Sequence, residues 1–312
     1  MSLIVTDQGE ALVLRRFAKA VMTAAGSPGH FPATAVPGGV VAPVDLTQRD
    51  LCLGLLAEAY EAARRVVEHR LDIPHPPDSF GGADLGLVDG QGHVDLFGMT
   101  LRAVAHDGTP VIENTQADEW DTLVAEAVPG SSAPKPYLVA LGPDSGAYRV
   151  GPVAQLRVGT LSTPQAAEYQ RVWSKGCGAR SARAIVILHA IEVIDEVLND
   201  PQTISGEVAL PWSPHLPAAV GIGLVDGARG LLVHRYHTDE TGHVKAASIL
   251  TPTAQNEPWL GGLLREAVDG SQSERDGIED AIREADPCLP CSSAPSGTMD
   301  VVVDTVTDER GG

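Results

Sequence analysis

Aromatic residues make up only 4% of the 312-residue chain, with 4 Phe, 5 Tyr and 4 Trp. Stacked rings cannot fill such an interior, so aliphatic side chains and close helix contacts must do so. Cysteine is scarce as well. The 4 present, Cys52, Cys177, Cys288 and Cys291, are too few to frame a secreted chain of this length, and a reducing compartment is expected. Basic residues are outnumbered, 22 Lys and Arg against 41 Asp and Glu, and the resulting charge of −19 repels phosphate backbones and anionic lipid. Nucleic-acid binding is therefore not expected. No segment reaches the roughly 18 apolar residues of a membrane span. At the start of the chain Asp7, Glu10, Arg15, Arg16 and Lys19 break up any signal-like run, so the expectation is a cytoplasmic protein without membrane insertion. No internal period of roughly 20 to 50 residues is visible, which sets aside solenoids and propellers.

What is present is the balance of a folded chain, 43% hydrophobic and 20% charged, enough for one large domain or two ordinary ones. From Gly9 to Gly26, Leu12, Phe17, Val21 and Met22 recur at helical spacing, with Gly26 just past the end. The segment Ser27 to Pro43 holds four prolines and three glycines in seventeen residues and reads as an ordered loop. A second helix is expected from Thr47, as cap with Asp50 three positions on, to about Arg70, packed through Leu51, Leu55, Leu56, Tyr60, Ala63 and Val67. Short segments from Gly82 to Glu113, broken by Asp-Gly and Gly pairs, read as hairpins. A strand is expected from Tyr137 to Gly142, and a helix opened by Thr163 and Pro164. The longest later helix spans Ala179 to Asn199, carries Ile185, Leu188, Ile191, Val193, Ile194 and Val197, and is stopped by Pro201. After the proline-rich stretch from Pro211 to Pro217 come a hairpin turning at Asp239 to Gly242 and two short helices, Pro258 to Val268 and Glu274 to Ala285.

The sharpest chemical feature follows the last helix. Cys288-Leu289-Pro290-Cys291 places two thiols where both can meet one metal or close one disulfide. Four readings are open: a redox dithiol, half of a zinc site, two incidental thiols, or the reading that the surrounding residues suggest. A redox pair belongs at a helix N-terminus inside an early βαβ unit. Zinc needs a matching second pair, and Cys52 and Cys177 are single.

The fourth reading rests on the flanking residues. Asp286-Pro287-Cys288-x-x-Cys291 resembles the C-terminal signature of the large subunit of nickel-iron hydrogenases. Val225 through His234, with Arg229-Gly230 at its centre, is similar to that family's Glu-Ala-Pro-Arg-Gly segment, and Ile249 through Asn256 to its Thr-Pro-Thr segment. Tyr148 through Ala154 resembles the Val-Gly-Pro-Leu-Ala segment, and Gly29-His30-Phe31-Pro32 to Val36-Pro37-Gly38-Gly39 the His-Pro and Pro-Gly-Gly loop. All five occur in family order. The resemblance implies a mainly α fold with small β hairpins, a helical-bundle core, and a large-subunit-like domain over 1–294 with a β-rich insert at about 82–115. Residues 295–312 read as a flexible acidic tail.

The resemblance further implies a nickel-iron centre with cyanide and carbonyl ligands on iron. Cys288 and Cys291 would be metal ligands, the first a terminal nickel thiolate and the second bridging. Arg229 and Thr253 would bind the cofactor by donating to its cyanides, and Cys288 and Arg229 would be the catalytic residues. A hydrogenase small subunit with iron-sulfur clusters, or hydrogenase maturation proteins, are the implied partners. The chain departs from the pattern in several places. Asp226 and Ala228 stand for the family's Glu and Pro, Ala294 for a histidine tied to maturation cleavage and a magnesium site, and no second Cys-x-x-Cys occurs. The family's N-terminal part, with that pair and a proton-passing glutamate, is expected to be missing. Cys52, mid-helix, and Cys177 read as core thiols, and His234 and His237 as a solvated strand surface. His69 and His75 read as capping or surface residues. Two functions follow: a hydrogenase large subunit that takes part in reversible oxidation of dihydrogen, or a non-enzymatic maturation scaffold or degenerate paralogue holding the iron-cyanide-carbonyl group.

Overall fold

The computed structural model describes residues 8–27, 34–36, 38–75, 78–131, 133–173, 178–205, 208–210, 218–269 and 274–288. Two long helices come first, α1 (Gln8–Ala24) and α2 (Leu46–Leu71), joined by a loop carrying the two-residue strands β1 (Ala35–Val36) and β2 (Gly39–Val40). The cap of α2 is Asp45 rather than the expected Thr47. The Asp45 Oδ1 accepts from the N–H of Thr47 at 2.9 Å and of Gln48 at 3.2 Å, so Thr47 already lies inside the first turn. A carboxylate both satisfies these donors and meets the positive end of the helix dipole. The packed stripe of α2 contains the expected Ala63 and Val67 but departs from expectation at Leu51. Cys52, Ala59, Ala62, Ala63, Val66 and Val67 are buried, while Leu51 is 51% exposed and Leu55, Leu56 and Tyr60 sit at the core's edge. Small side chains let α1 and a later helix approach closely, and that contact, not side-chain bulk, sets which face turns inward.

The middle of the chain builds a mixed sheet. Strands β3 (Ala83–Leu87), β4 (Thr100–Val104) and β5 (Pro110–Gln116) are antiparallel neighbours, with Asp84 opposite Val104 and Leu87 opposite Leu101. A short helix α3 (Trp120–Leu123), the pair β6 (Val124–Glu126) and β7 (Pro136–Leu138), and α4 (Gly142–Ser145) lead to β8 (Tyr148–Arg149). Strand β8 pairs parallel to β3 and completes the order β5-β4-β3-β8. The strand expected from Tyr137 to Gly142 ends at Leu138. Val139–Leu141 winds into a 3-10 turn that Gly142 (φ +75) and Pro143 break off.

Three helices follow: α5 (Pro152–Val158), α6 (Pro164–Val172) and α7 (Ala179–Asn199). Helix α7 has the expected bounds and buries Ile185, Leu188 and Ile191, whereas Val197 is exposed. Thr163 stands at the cap position of α6, yet its hydroxyl is bound to His189 Nδ1 at 2.8 Å on α7. Glu192 of α7 caps α6 in its place, accepting from Gln165 N–H at 3.1 Å and Ala166 N–H at 2.9 Å.

The last third holds β9 (Ala219–Gly227), β10 (Gly230–Thr238) and β11 (Val244–Leu250), an antiparallel ribbon in the order β11-β10-β9. As expected, β10 turns into β11 at Asp239, whose carboxylate accepts from Thr241 and His243 N–H. Helices α8 (Pro252–Gln255), α9 (Glu257–Asp269) and α10 (Glu274–Ala285) complete the described chain. One core lies among α1, α2, α5, α6 and α7, and a second among the four-stranded sheet, the β6–β7 pair and the β9–β11 ribbon. The fold is mainly helical with small sheets, and no described helix is long and apolar enough to cross a membrane. The proline-rich stretch 211–217 and the tail 295–312 lie outside the described residues, as does the loop segment 28–33.

Candidate functional site

Arg229 occupies the two-residue turn between β9 and β10. Its placement depends on two glycines from different segments. Gly151 (φ +100) and Gly230 (φ +123) let the backbones pass so closely that a Cβ on Gly151 would lie 2.9 Å from the Arg229 carbonyl oxygen, and one on Gly230 would lie 2.8 Å from the Gly151 nitrogen. Only glycine combines that approach with that backbone conformation. Asn256 then ties the two strands of chain together. Its amide group donates to the carbonyls of Val150 and Arg229, both at 3.2 Å, and its oxygen accepts from Val150 N–H at 2.9 Å.

Three elements converge on one point. Thr253 lies in the first turn of α8, and Cys288 is three residues past the end of α10. The Cys288 N–H donates to Thr253 Oγ1 at 3.0 Å, which leaves the hydroxyl hydrogen able to donate in turn. Arg229 Nε donates to the Asp286 carbonyl oxygen at 3.1 Å, and its Nη2 faces Asp286 Oδ1 at 3.6 Å. Arg229, Thr253, Asn256, Leu260, Asp286 and Pro287 line a pocket of about 220 Å³ including its open mouth. The structure thus brings together the three described residues that the sequence singles out, from positions 229, 253 and 288. Cys291 and Ala294 lie outside the described residues.

A guanidinium and a hydroxyl lining one pocket, with the exposed Cys288 held at its edge through its N–H, suit a thiolate-bound metal that carries anionic diatomic ligands. Asp286 Oδ1 is buried without a hydrogen bond among the described residues and is balanced by the Arg229 guanidinium that it faces. This donor set fits the iron end of a nickel-iron pair. It does not by itself complete the nickel end, because no three His, Cys, Asp or Glu side chains among the described residues are grouped to hold a metal. Cys52 is fully buried on α2, and burial pushes its thiol pKa up. Cys177 lies outside the described residues. His234 is bound to the Tyr236 hydroxyl at 2.8 Å on the part-exposed face of β10, and His69 is exposed on the last turn of α2.

Asp286 and Asn256 are working parts of this site to which the sequence assigned no role, although both stand inside segments that marked it. Asp226, where the resembled segment has Glu, is 1% exposed on β9. Its Oδ1 accepts from Gln155 Nε2 at 2.7 Å, while its Oδ2 has no hydrogen-bond partner among the described residues. Burial raises its pKa to about 7, against the lowering effect of Gln155 and the Leu87 N–H.

No family model matches the chain. It is 31% identical over 332 aligned positions to the beta subunit of the NAD-reducing hydrogenase HoxS of Cupriavidus necator, an alignment covering 96% of this chain and 68% of that protein. It is 30% identical to a polypeptide of the F420-non-reducing hydrogenase vhu of Methanococcus voltae, covering 83% and 65%. The chain therefore spans about two thirds of the length of the relatives it matches. Among solved structures, an NAD+-reducing NiFe hydrogenase in the H2-reduced state superposes with a TM-score of 0.79 at 26% identity, over 91% of this chain and 68% of the other. A NiFeSe hydrogenase variant of Desulfovibrio vulgaris Hildenborough does so at 0.66 and 18% identity, over 91% and 69%, a likeness of fold.

Proposed function

The chain belongs to the nickel-iron hydrogenase large-subunit family, and from that premise we propose that it supplies one side of a nickel-iron centre and takes part in the reversible oxidation of dihydrogen. The observation that carries this reading is the meeting of Arg229, Thr253 and Cys288 from three separate elements. In this proposal Cys288 and Cys291 hold the metal, and Arg229 and Thr253 donate to cyanide ligands on the iron. Bound, the metal pair supplies the redox chemistry. The residues of the chain supply positioning and charge: Arg229 sets a cation beside anionic ligands in a narrow pocket, and Cys288 Sγ holds a proton during turnover. The remaining ligands come from residues other than these two cysteines. A small subunit carrying iron-sulfur clusters is the proposed partner, in the cytoplasm.

Ala294, standing where the family has a histidine tied to maturation cleavage, favours a second reading, a scaffold that carries the iron-cyanide-carbonyl group during maturation and releases it. Metal analysis with infrared spectroscopy on protein isolated from its native host separates the two. Nickel and iron near one each, with cyanide and carbonyl bands, support the enzyme. Iron with those bands and no nickel supports the scaffold, and no bound metal with no bands overturns both. Cys288→Ser and Cys291→Ser are each expected to abolish bound iron, and Cys52→Ser to leave it in place. Iron retained by the first two variants would remove the assignment of the site.

A further inference from the structure

Helices α7 and α10 hold each other's ends. Glu284, in the last turn of α10, accepts from the N–H of Ala179 at the start of α7, where the cap position is Gly178 and offers no side chain. Arg183, one turn into α7, answers across the same contact: its Nη1 donates to the Glu284 carbonyl oxygen at 3.0 Å and its Nη2 to that of Arg283 at 2.8 Å. A helix leaves its last carbonyls without intrahelical partners. Here the sequence makes the shortage specific. Had α10 continued, Arg283 O would meet the nitrogen of residue 287, which is proline and has no N–H, and Glu284 O would meet the N–H of Cys288. That N–H is instead turned to Thr253 Oγ1. Asp286, at the bend, has φ +47, the left-handed conformation in which many helices end and which aspartate adopts more readily than most non-glycine residues.

Arg183 replaces both missing donors with the paired N–H groups of one guanidinium. We propose that Arg183 is the positioning residue for Cys288: by holding the carbonyls of Arg283 and Glu284 it lets the chain leave helical register at Pro287 and frees the Cys288 N–H for Thr253. The cysteine is then held before any metal arrives. Arg229 grips the bend at the Asp286 carbonyl and Thr253 grips Cys288, while Arg183 secures the stretch before the bend. The value of that positioning for metal binding rests on the reading of Cys288 as a ligand.

The test uses the full chain without metal, followed by titration with Co(II) alone. In Arg183→Met, hydrogen exchange of the Cys288 amide is expected to rise about tenfold or more, while the β9–β11 ribbon keeps its protection. Arg183→Lys keeps the charge and reaches one carbonyl rather than two. It is expected to melt within a few degrees of the parent yet to bind Co(II) about tenfold more weakly, read from thiolate charge-transfer absorption. Parent-like exchange at Cys288 in Arg183→Met overturns the proposal. Should that variant fail to fold, parent-like exchange and cobalt affinity in Arg183→Lys overturn it equally. Cobalt absorption that survives Cys288→Ser would instead remove the reading of the site, and the metal-free exchange result would still decide the part played by Arg183.

Discussion

Asp226 shows how one buried carboxyl ties stability to pH. Removed from water and offered one full hydrogen bond, it favours its neutral form, and its pKa rises from an ordinary 3.8 to about 7. The folded state therefore binds a proton more tightly than the unfolded chain. Its contribution to stability is complete below pH 3.8 and is lost as pH rises through about 7. The span between those values corresponds to a loss of roughly 4 kcal/mol as an order of magnitude. Asp226→Asn keeps the shape and the acceptor for Gln155 but cannot ionise. Urea midpoints of the parent are expected to fall between pH 5 and pH 8, and those of the variant to change less over the same interval. Equal slopes in the two proteins would show that Asp226 does not titrate there. The same residue marks where sequence reading stops. Its position within a site segment was legible, but its pairing with Gln155, 71 positions away, was not. The segments that carry Arg229, Thr253 and Cys288 were legible because each is a short contiguous string, and the structure places them beside one another. Asp286 and Arg183 act through contacts 57 and about 100 positions distant, which no local string records.

At the scale of elements, helix ends show which local signals survive packing. Helix α7 keeps its expected bounds because Pro201 stops it whatever lies around it. The start of α6 was placed correctly by Thr163 and Pro164, but the chemistry of its cap was not, since the Thr163 hydroxyl is committed to His189 and the orphan N–H groups go to Glu192. A carboxylate from a neighbouring helix caps α6 and ties it to α7 in one contact. Glu192→Ala is expected to cost about 1–2 kcal/mol in chemical denaturation. On α2, Asp45→Ala is expected to cost about 1 kcal/mol and Thr47→Ala only a few tenths, because the carboxylate and not the hydroxyl accepts the first N–H groups. A larger loss from Thr47→Ala than from Asp45→Ala would reverse that assignment. The expected face of α2 was right at Ala63 and Val67, and at Leu55, Leu56 and Tyr60 along its edge, but wrong at Leu51, for a related reason. Hydrophobicity ranked Leu51 above Cys52 and Ala59, but close helix contact ranks by size, and partners distant in sequence decide it.

Across the whole molecule the two cores meet at Arg149. This residue belongs to β8, is 1% exposed, and donates from Nε to Asp84 on β3 at 2.9 Å and from Nη2 to Asp78 at 2.8 Å. Its guanidinium lies between the rings of Phe80, at 5.0 Å, and Trp259 of α9, at 4.9 Å, both of which pack with the helical core. Arg157 of α5 adds a second cation against Asp84 at 2.6 Å. Burial alone would lower the Arg149 pKa, but Asp84 and Asp78 outweigh it and raise it, so the cation is held. The cluster joins β3, β8, α5 and α9 through groups that are costly to bury unpaired. Mainly α composition with small hairpins was legible in the sequence, but a charged joint between its two halves was not, because its members are 65 and 71 positions apart. Arg149→Met preserves bulk between the rings while leaving Asp78 without its main partner and Asp84 with one cation fewer. It is expected to cost about 3 kcal/mol or more. It should also separate two unfolding transitions that coincide in the parent: helix content followed by far-ultraviolet circular dichroism, and the environment of Trp120 in the sheet core followed by fluorescence in a chain whose other tryptophans are replaced by Phe. If the transitions stay superimposed at a lower midpoint, Arg149 stabilises both halves without coupling them, and α5, which packs against β3 and α7 alike, carries the cooperativity instead.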